Sequence, residues 1–526
     1  MRLLLAVLAT LSLCWPWMAH SLQPDKPLHQ YVRGNWSIEQ GLPQISALAI
    51  AQDRAGYIWV GTQAGLARFD GVRMVEYTSE NTPELPGNWV PTLHLAADGR
   101  LWIGTYKGVV VHDGRSFTPV MAADGPAAAS SLDTRDFAQD AQGTLWVATT
   151  AGVHRVQDER LHPVANSPLL TQSLLARPDG LWVGARGAVH RYKDDRWQAL
   201  PLPPDAATAT VNALVDAHDR LWAATTMGLF VHSSQGWQRF EGVPQLARAT
   251  VDVLYLDRDG NLWAGGDAGI ARIRDGRLVA FVAPTEPGAI AGVRTAFEDR
   301  EGGLWIGSQW EGLTRLGDSW TRRYSVAEGL NGPIAWSLAA DPDGRRIWVG
   351  GNEGLGVLED GRVREVVPAS ALPHPHAYNL LAEADRVWVG TRSGLAIVEL
   401  TAGRVSGVRQ PKVFAPLAGS QINGIVRLEN QDLWIATTDG LYRLREGRLR
   451  RYSQPDGLVD PRIRFFFQTR EGEILAATQS GLFELRDDRF HVVGEDAGLP
   501  PQLDVTAVGQ LQDGRWLVGT LSEQTY

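Results

Sequence analysis

Cysteine and basic charge are both scarce in this 526-residue sequence. The single cysteine, Cys14, excludes a disulfide framework and a metal site built from several thiolates. Leu13 precedes it where a lipoprotein signal needs a small residue, so lipidation is not expected. Lys and Arg number 50 against 59 Asp and Glu, which gives a net charge of −9. A nucleic-acid partner, which needs a basic surface, is therefore not expected.

Long hydrophobic runs are also rare. One run covers residues 3–18, and it is shorter than the roughly 20 residues that a membrane-spanning helix needs. We therefore predict a signal peptide over residues 1–21, cleaved after Ala19 or Ser21, with an uncleaved anchor as the alternative. Export by this signal places the mature chain in the periplasm.

Glycine, by contrast, is abundant, with 56 residues, about 11 % of the chain against the usual 7 % or so. Frequent glycine without a triplet period is typical of many tight turns and hence of many short strands. The hydrophobic content of 44 % and the charged content of 21 % indicate a folded globular protein. The length predicts three or four domains of about 150 residues.

A short phrase recurs along the chain: Leu/Ile-Trp-Val/Ile-Gly/Ala-Thr/Gly, two variable residues, then Gly-Leu/Val. Successive copies lie about 42 residues apart, a period typical of a solenoid or a propeller. The repeated tryptophans are Trp59, Trp102, Trp146, Trp182, Trp222, Trp263, Trp305, Trp348, Trp388 and Trp434, and two degenerate copies carry Leu475 and Leu517 in the same slot.

Each repeat is predicted to form four strands. In the first repeat, residues 47–50, 57–62, 66–69 and 72–77 are apolar, β-branched or alternating, and turn residues separate them. No helical period of useful length is present. Four-stranded units at this spacing predict an all-β fold of tandem β-propellers with about twelve blades.

Two slots of the phrase are expected to stabilise the fold. The Gly after the variable pair should adopt a positive φ, which glycine tolerates because it has no Cβ. The repeated Trp should bury about 150–250 Å² against a neighbouring blade. Since this slot holds ten of the 20 tryptophans, we assign those ten to packing and not to ligand stacking.

The longer phrase Asp-x-x-Gly-x-Leu/Ile-Trp-Val-Gly-Thr-x-x-Gly-Leu resembles the two-component regulator propeller repeat. It stands at residues 53–66, and close copies stand at 257–270 and 299–313. The resemblance covers about residues 30–526, and the segment 36–43 also resembles the start of the family.

The resemblance implies the periplasmic sensor region of a membrane-spanning signalling protein. In that family two seven-bladed propellers precede a small β-sandwich, a transmembrane helix and an output domain, which is a histidine kinase, often hybrid, or a diguanylate cyclase. Some members respond to glycan fragments, and members often signal as dimers. The implied partners are an unknown small molecule or glycan fragment and a second copy of the chain. No cofactor is implied, and membrane attachment would come only through a missing C-terminal segment.

The repeats suggest where the two propellers divide. The first seven repeats predict a seven-bladed propeller over residues 22–323. Residues 324–330 echo residues 36–42, so we predict a second, C-terminally incomplete propeller of five repeats over residues 324–526. Two six-bladed rings would also account for twelve repeats.

The sequence stops at Tyr526, before the last repeat has its third and fourth strands. An open ring would leave unpaired strand edges, which proteins normally avoid. Either residues 28–33 close a ring by pairing with the last repeat, or the chain is a fragment of a longer sensor. We expect the fragment.

The most variable short slot is the connection between the second and third strands of each repeat. In a propeller these connections lie on one face, around the central channel, where polar and aromatic groups can hold a ligand. The alternative is that they are ordinary solvated turns. The candidate ligand-binding residues in this slot are Tyr106, Lys107, Arg186, Gln309 and Trp310.

Other motifs are weaker. Residues 257–260 and 341–344 are similar to calcium loops, but they fall where the first hairpin turn belongs, and the loop starting at Asp257 has no Glu at its twelfth position. His374 and His376 lack a nearby Cys or carboxylate, so no metal site is predicted. The sequence contains no G-x-S-x-G, P-loop or H-E-x-x-H motif, and no catalytic residue is assigned.

Three functions fit these observations. The favoured one is a ligand-sensing propeller region whose output domain lies downstream, which predicts binding without turnover. A secreted glycan-active propeller enzyme would need paired carboxylates, or a His and a Tyr, on one face. A stand-alone periplasmic scaffold would bind protein partners instead of small molecules.

Overall fold

The computed structural model describes residues 22–23, 26–123, 125, 132–286, 289–319, 321–500, 503–512 and 514–521. The predicted signal peptide, residues 1–21, lies outside them. The chain divides into two compact units, one up to Arg322 and one from Arg323 onward. The helices of the described part are short 3₁₀ turns, and none is long and apolar enough to cross a membrane. They are Leu28–Gln30, Ile38–Gln40, Pro204–Ala206, Val326–Glu328, Ala369–Ala371, Lys412–Leu417, Gln454–Asp456 and Glu495–Ala497.

The first unit is built from short strands joined by tight turns. In order, β1 to β28 are Val32–Trp36, Ala47–Gln52, Ile58–Thr62, Leu66–Phe69, Met74–Tyr77, Thr92–Leu95, Leu101–Thr105, Gly108–His112, Phe117–Ala122, Thr134–Gln139, Leu145–Thr149, Gly152–Gln157, Arg160–Pro163, Ser173–Arg177, Gly180–Gly184, Ala188–Lys193, Arg196–Pro201, Val211–Ala217, Arg220–Thr225, Gly228–Ser233, Gly236–Arg239, Val251–Leu256, Leu262–Gly266, Gly269–Arg274, Arg277–Val282, Val293–Glu298, Leu304–Ser308 and Leu313–Gly317.

These strands form seven blades. From β2 onward, each four consecutive strands make one antiparallel blade, so blades 1 to 6 end with β25. Blade 7 contains β26, β27 and β28 and takes β1 as its outermost strand. A short parallel pairing of β9 with β13 also links blades 2 and 3.

The seven blades close into a ring. The innermost strand of each blade packs against the innermost strand of the next, and β2 of blade 1 packs against β26 and β27 of blade 7. The first propeller is therefore seven-bladed, and the alternative of two six-bladed rings is wrong.

The N-terminal strand closes this ring. Strand β1 pairs antiparallel with β28, with Val32 opposite Gly317 and Trp36 opposite Leu313. The Trp36 ring also stacks on the Trp305 ring, with centroids 5.1 Å apart. The expectation that the N-terminus could pair with the last repeat is wrong, because this strand already completes blade 7.

The second unit repeats the same plan. Its strands β29 to β46 are Ala335–Ala340, Ile347–Gly351, Gly354–Glu359, Arg362–Pro368, Ala377–Ala382, Arg386–Thr391, Gly394–Thr401, Arg404–Arg409, Ile422–Arg427, Leu433–Thr437, Gly440–Arg445, Arg448–Tyr452, Ile463–Gln468, Ile474–Thr478, Gly481–Arg486, Arg489–Val493, Val505–Gln510 and Trp516–Thr520. Blades 8 to 11 have four strands each, and the described part of blade 12 has two, β45 and β46.

The five blades of the second unit form a row in the order 8 to 12. Apolar slots at its two ends are exposed: Leu338 is 67 % exposed and Leu517 is 49 % exposed, whereas Leu380, in the slot of Leu338 one blade on, is 8 % exposed. The described part of this unit is thus an open row. The predicted all-β fold of tandem propeller blades, with a complete first ring and an incomplete second one, is confirmed.

The repeated tryptophans pack between blades, as predicted. Nine of the ten are buried, and Trp146 is half-buried. In five blades the indole N–H donates to the Asp that opens the preceding Asp-x-x-Gly turn, a bond that fixes turn and strand together. The pairs are Trp59–Asp53 at 2.7 Å, Trp146–Asp140 at 2.9 Å, Trp263–Asp257 at 2.8 Å, Trp305–Asp299 at 2.8 Å and Trp348–Asp341 at 2.5 Å.

The repeated glycine adopts the predicted left-handed conformation. For example, φ is 118° at Gly228 and 135° at Gly440. The preceding Thr of the phrase stabilises the turn, since the Thr225 hydroxyl donates to the Gly228 carbonyl at 2.8 Å. A side chain at Gly228 would also place its Cβ 2.1 Å from the Ala247 carbonyl oxygen.

Candidate functional site

A β-bulge interrupts the innermost strand of most blades. Near its start, the innermost strand has one residue that is not paired with the second strand. In blade 9, for example, Ala377 and Asn379 are paired, and the residue between them is skipped. Bulges redirect a side chain and are common beside functional sites. The skipped residues, here called the bulge residues, are Leu48, Arg135, Asn212, Asp252, Arg294, Trp336, Tyr378, Asn423, Arg464 and Thr506.

In the second unit the bulge residues meet at one cavity of about 700 Å³. All five bulge residues of blades 8 to 12 line it, and the neighbouring residues come from the strand starts and the connections between second and third strands. The lining residues are Trp336, Tyr378, Gln421, Asn423, Thr438, Arg462, Arg464, Gln479 and Thr506. This size and mixture of aromatic and polar groups suit a small polar ligand.

One wall of the cavity is aromatic. The rings of Trp336 and Tyr378 lie edge to face, with centroids 4.9 Å apart. The Trp336 indole N–H donates to Asn352, which fixes the ring although it is 48 % exposed. Behind them, the His376 ring lies 6.0 Å from Tyr378 and 4.7 Å from His374. The two histidines that lacked a metal-binding context in the sequence therefore support an aromatic wall.

The middle of the cavity carries amides. Gln421 donates through its side-chain amide to Asn423 Oδ1 at 2.8 Å, and Asn423 donates to the Ile463 carbonyl at 2.6 Å. The Asn423 amide is thus fixed between blades 10 and 11. Fixed amides of this kind give orientation to a polar ligand.

The far wall carries two arginines, each held by a carboxylate. Arg462 donates through Nε and Nη2 to Asp460 at 2.9 and 3.1 Å. Arg464 donates through Nη2 to Asp504 at 2.9 Å. Burial would raise the pKa of Asp460, but hydrogen bonds from Arg462 and Ser480 outweigh it and lower that pKa. Asp460 is therefore a carboxylate at neutral pH, and it orients Arg462.

Three bulge residues of the first unit, Asn212, Asp252 and Arg294, bond to one another instead. Arg294 of blade 7 donates to Asp252 at 2.8 Å, to Asp267 at 3.0 Å and to Gln309 at 3.3 Å. Asn212 donates to the other Asp252 oxygen at 3.2 Å. Burial raises the pKa of Asp252, an effect that Arg294 opposes. These groups satisfy each other across blades 5 to 7, so they serve blade docking.

The five residues predicted for ligand binding fall on three blades of the first unit. Lys107 lies over the Tyr106 ring, 5.0 Å from its centroid, on blade 2. Gln309 joins the Arg294 network on blade 7, next to Trp310, which is 63 % exposed. Arg186, on blade 4, forms an isolated antiparallel β-bridge with Thr210. The structure thus groups Tyr106 with Lys107 and Gln309 with Trp310. Ligand binding by all five remains a prediction.

Sequence analysis missed the bulge residues of the second unit, although a signal for them exists. The predicted ligand-binding residues all lie in the connection between the second and third strands. A comparison of the repeats at the start of the first strand finds Trp336, Tyr378, Asn423, Arg464 and Thr506 in equivalent positions, where the chemistry changes at every repeat.

The loops that are similar to calcium sites act as turns. Asp257 accepts from the Asn261 backbone N–H at 2.7 Å and from the Trp263 indole at 2.8 Å, so its oxygens already have partners. Within the described ranges, no cluster of three or more His, Cys, Asp or Glu side chains could hold a metal ion.

A family model described as the two component regulator propeller matches residues 41–64 and 84–107. Residues 41–64 and 84–107 are therefore similar to the two-component regulator propeller repeat. The resemblance predicted from the sequence is confirmed for these two repeats. These matches cover the first two strands of blade 1 and the first two strands of blade 2, including the Trp59 and Trp102 slots.

One solved extracellular domain shows the same fold. The extracellular domain of a protein described as a hybrid two component system from B. thetaiotaomicron is 18 % identical, with a TM-score of 0.67 over 93 % of this chain and 76 % of that one. A catalytically inactive virginiamycin B lyase from Staphylococcus aureus is 13 % identical, with a TM-score of 0.44 over 55 % of this chain and 100 % of that one. At 18 % identity the likeness to the B. thetaiotaomicron domain concerns the fold alone. No curated protein matches the chain.

Proposed function

We propose that the chain is the extracytoplasmic ligand-sensing region of a membrane signal-transduction protein, and that the cavity of the second unit binds the ligand. The observation that carries the proposal is the convergence of all five second-unit bulge residues on one cavity. Constant slots such as the Trp of each repeat stabilise the blades, whereas the bulge residues differ in chemistry from blade to blade. Variable side chains on a rigid scaffold are the usual basis of binding specificity.

The cavity also touches every blade of the described second unit. A ligand that contacts Trp336 of blade 8 and Arg464 of blade 11 would bridge blades that otherwise contact only their neighbours. Such a ligand stabilises one arrangement of the row over others, which is the requirement for a signal. We propose that this signal passes to a histidine kinase or diguanylate cyclase output domain.

The ligand proposal is tested by thermal shift with neutral hexoses, uronic acids, amino acids and hydroxybenzoates, followed by calorimetric titration of any probe that binds. Trp336→Ala and Tyr378→Ala should each weaken binding by about tenfold, because each removes one ring of the aromatic wall. Tyr106→Ala and Trp310→Ala serve as matched aromatic controls in the first unit, and if the second-unit cavity holds the ligand they leave affinity within about twofold.

The same titrations separate the alternatives. Unchanged affinity in Trp336→Ala and Tyr378→Ala, with loss in Tyr106→Ala and Trp310→Ala, would move the site to the face predicted from the sequence. Mass spectrometry of the bound probe should show no chemical change. A converted probe would favour the secreted enzyme, and protein capture without small-molecule binding would favour the scaffold.

A further inference from the structure

The two charged side chains that line the second-unit cavity are both arginines, Arg462 and Arg464. Their carboxylate partners, Asp460 and Asp504, contact the arginines but do not line the cavity. The surface that a ligand meets is therefore positive on this wall, while the two aspartates hold the guanidinium groups in place.

Both arginines keep donors for a ligand. A guanidinium has five N–H groups, and Arg462 uses Nε and Nη2 for Asp460. Arg464 uses Nη2 for Asp504, and the Nη1 groups of both arginines donate to no described residue. Unused guanidinium donors in a fixed fork suit a carboxylate, sulfate or phosphate, which accepts two parallel hydrogen bonds.

The opposite wall suits a ring. Trp336 and Tyr378 present aromatic surface three and two blades away from the arginines, respectively, and the fixed Asn423 amide lies on blade 10 between them. A ligand that fills the cavity would place an apolar or sugar-like ring face against the aromatic pair and its charged group against the arginines.

We propose that the cavity is selective for a ring-shaped organic anion, whose acidic group binds Arg462 and Arg464 while its ring packs on Trp336 and Tyr378. This inference rests on the proposed function of the cavity. The shared chemistry is a ring that bears an anion, and it comes either from an acidic sugar or from an aromatic acid.

The test uses two matched pairs of probes in calorimetric titrations of the full chain. Glucuronate is compared with glucuronamide, and 4-hydroxybenzoate with 4-hydroxybenzamide, because each amide keeps the ring and removes the charge. At least one acid should bind more than about tenfold tighter than its amide, and added salt should weaken that binding. The acid that binds identifies the source of the ring.

Arg464→Gln should weaken binding of the acid by at least about tenfold and leave any amide binding unchanged. Arg448→Gln, which removes an exposed arginine at the start of an outer strand of the same unit, is the matched control and should change neither. If Arg464→Gln does not fold, Arg464→Lys replaces it, since Lys keeps the charge and loses the fork, and an intermediate loss is expected.

Three outcomes overturn the inference. An amide that binds as tightly as its acid excludes anion selectivity but leaves the cavity as a ligand site, so the proposed function stands. Acid binding that survives Arg462→Gln and Arg464→Gln places the anion elsewhere. Failure of all four probes to bind at about 10 mM excludes a simple ring anion, while the wider panel still decides the proposed function.

Discussion

Trp263→Ala should lower the free energy of unfolding by about 3–5 kcal/mol. Trp263 is 1 % exposed and packs between blades 6 and 7, in one cluster with Val293 and Ile306 of the next blade. Its indole N–H donates to Asp257 at 2.8 Å, and the Arg272 guanidinium lies 5.6 Å from its ring centroid. The truncation therefore creates a cavity between blades and leaves a buried carboxylate without one of its donors.

Urea denaturation followed by circular dichroism measures this loss, and a second tryptophan provides the control. Trp310 is 63 % exposed, so Trp310→Ala should change the free energy of unfolding by less than about 1 kcal/mol. Equal denaturation midpoints for Trp263→Ala and the wild type would contradict the packing role of the repeated tryptophan.

The blades themselves were predictable because their determinants are local. The turn after the second strand needs a positive φ, and only a glycine such as Gly440, at φ 135°, adopts it without strain. The Trp, the Asp and the Gly of the first blade lie within about a dozen residues, and the Trp and the Gly repeat in all ten tryptophan-containing copies. Because the same short phrase recurs about every 42 residues, the strand pattern of one repeat is supported by all the others, and the fold class follows from the sequence.

Ring closure was not predictable, because it depends on a distant pairing. Strand β1 pairs with β28, and Val32 and Gly317 are far apart in the sequence. The residues of β1 carry no copy of the repeat phrase that would mark them as part of blade 7. Loop closure over this distance leaves no trace in local composition.

The echo between residues 36–42 and 324–330 also has a different meaning in the structure. Ser37 and Gln40 form a capping box at the start of a 3₁₀ turn. Ser453 and Asp456 form the same box before blade 11. The echo is thus a capping motif that precedes an innermost strand, and not a specific mark of a new propeller.

The candidate cavity was missed for a related reason. A β-bulge is a register shift between two strands, and a single strand such as Ala377–Ala382 does not show which of its residues will be skipped. The variable connections between second and third strands are visible in the sequence, but Gln309, one of the first-unit residues predicted there, accepts a hydrogen bond from Arg294 of its own blade. The bulge residues come together only when the five blades of the second unit pack side by side.

The last prediction concerns a carboxyl group between blades 3 and 4. Asp136 follows the bulge of β10, and it accepts from the backbone N–H groups of Leu174 and Phe137, each at 2.8 Å. Burial raises the pKa of Asp136 to about 7, and the two hydrogen bonds oppose that rise. In blade 9 the equivalent residue, Asn379, accepts from the Ile425 N–H at 2.9 Å, so a neutral amide makes the same link between blades.

The sign of the pH dependence follows from the raised pKa. The folded state keeps the Asp136 proton up to about pH 7, whereas the unfolded chain releases it near pH 4. The stability that this proton provides is complete below pH 4 and is lost as the pH rises to about 7. Its upper bound is about 4 kcal/mol, and partial solvent contact of the half-buried Asp136 reduces it. The melting temperature of the wild type should therefore fall as the pH rises from 5 to about 7.

Asp136→Asn should remove this fall, because the amide keeps the bond to Leu174 and does not titrate. Melting curves of the wild type and the variant between about pH 5 and 8 measure the difference, which should grow with pH in favour of the variant. Asp70→Asn is the matched control. Backbone hydrogen bonds from Arg73 and Val72 lower the pKa of Asp70, so its charge is the same across this range and the wild-type fall should persist. Parallel curves for Asp136→Asn and the wild type would show that Asp136 is charged in the folded protein, and the carboxylate would then link blades 3 and 4 at every pH above 5.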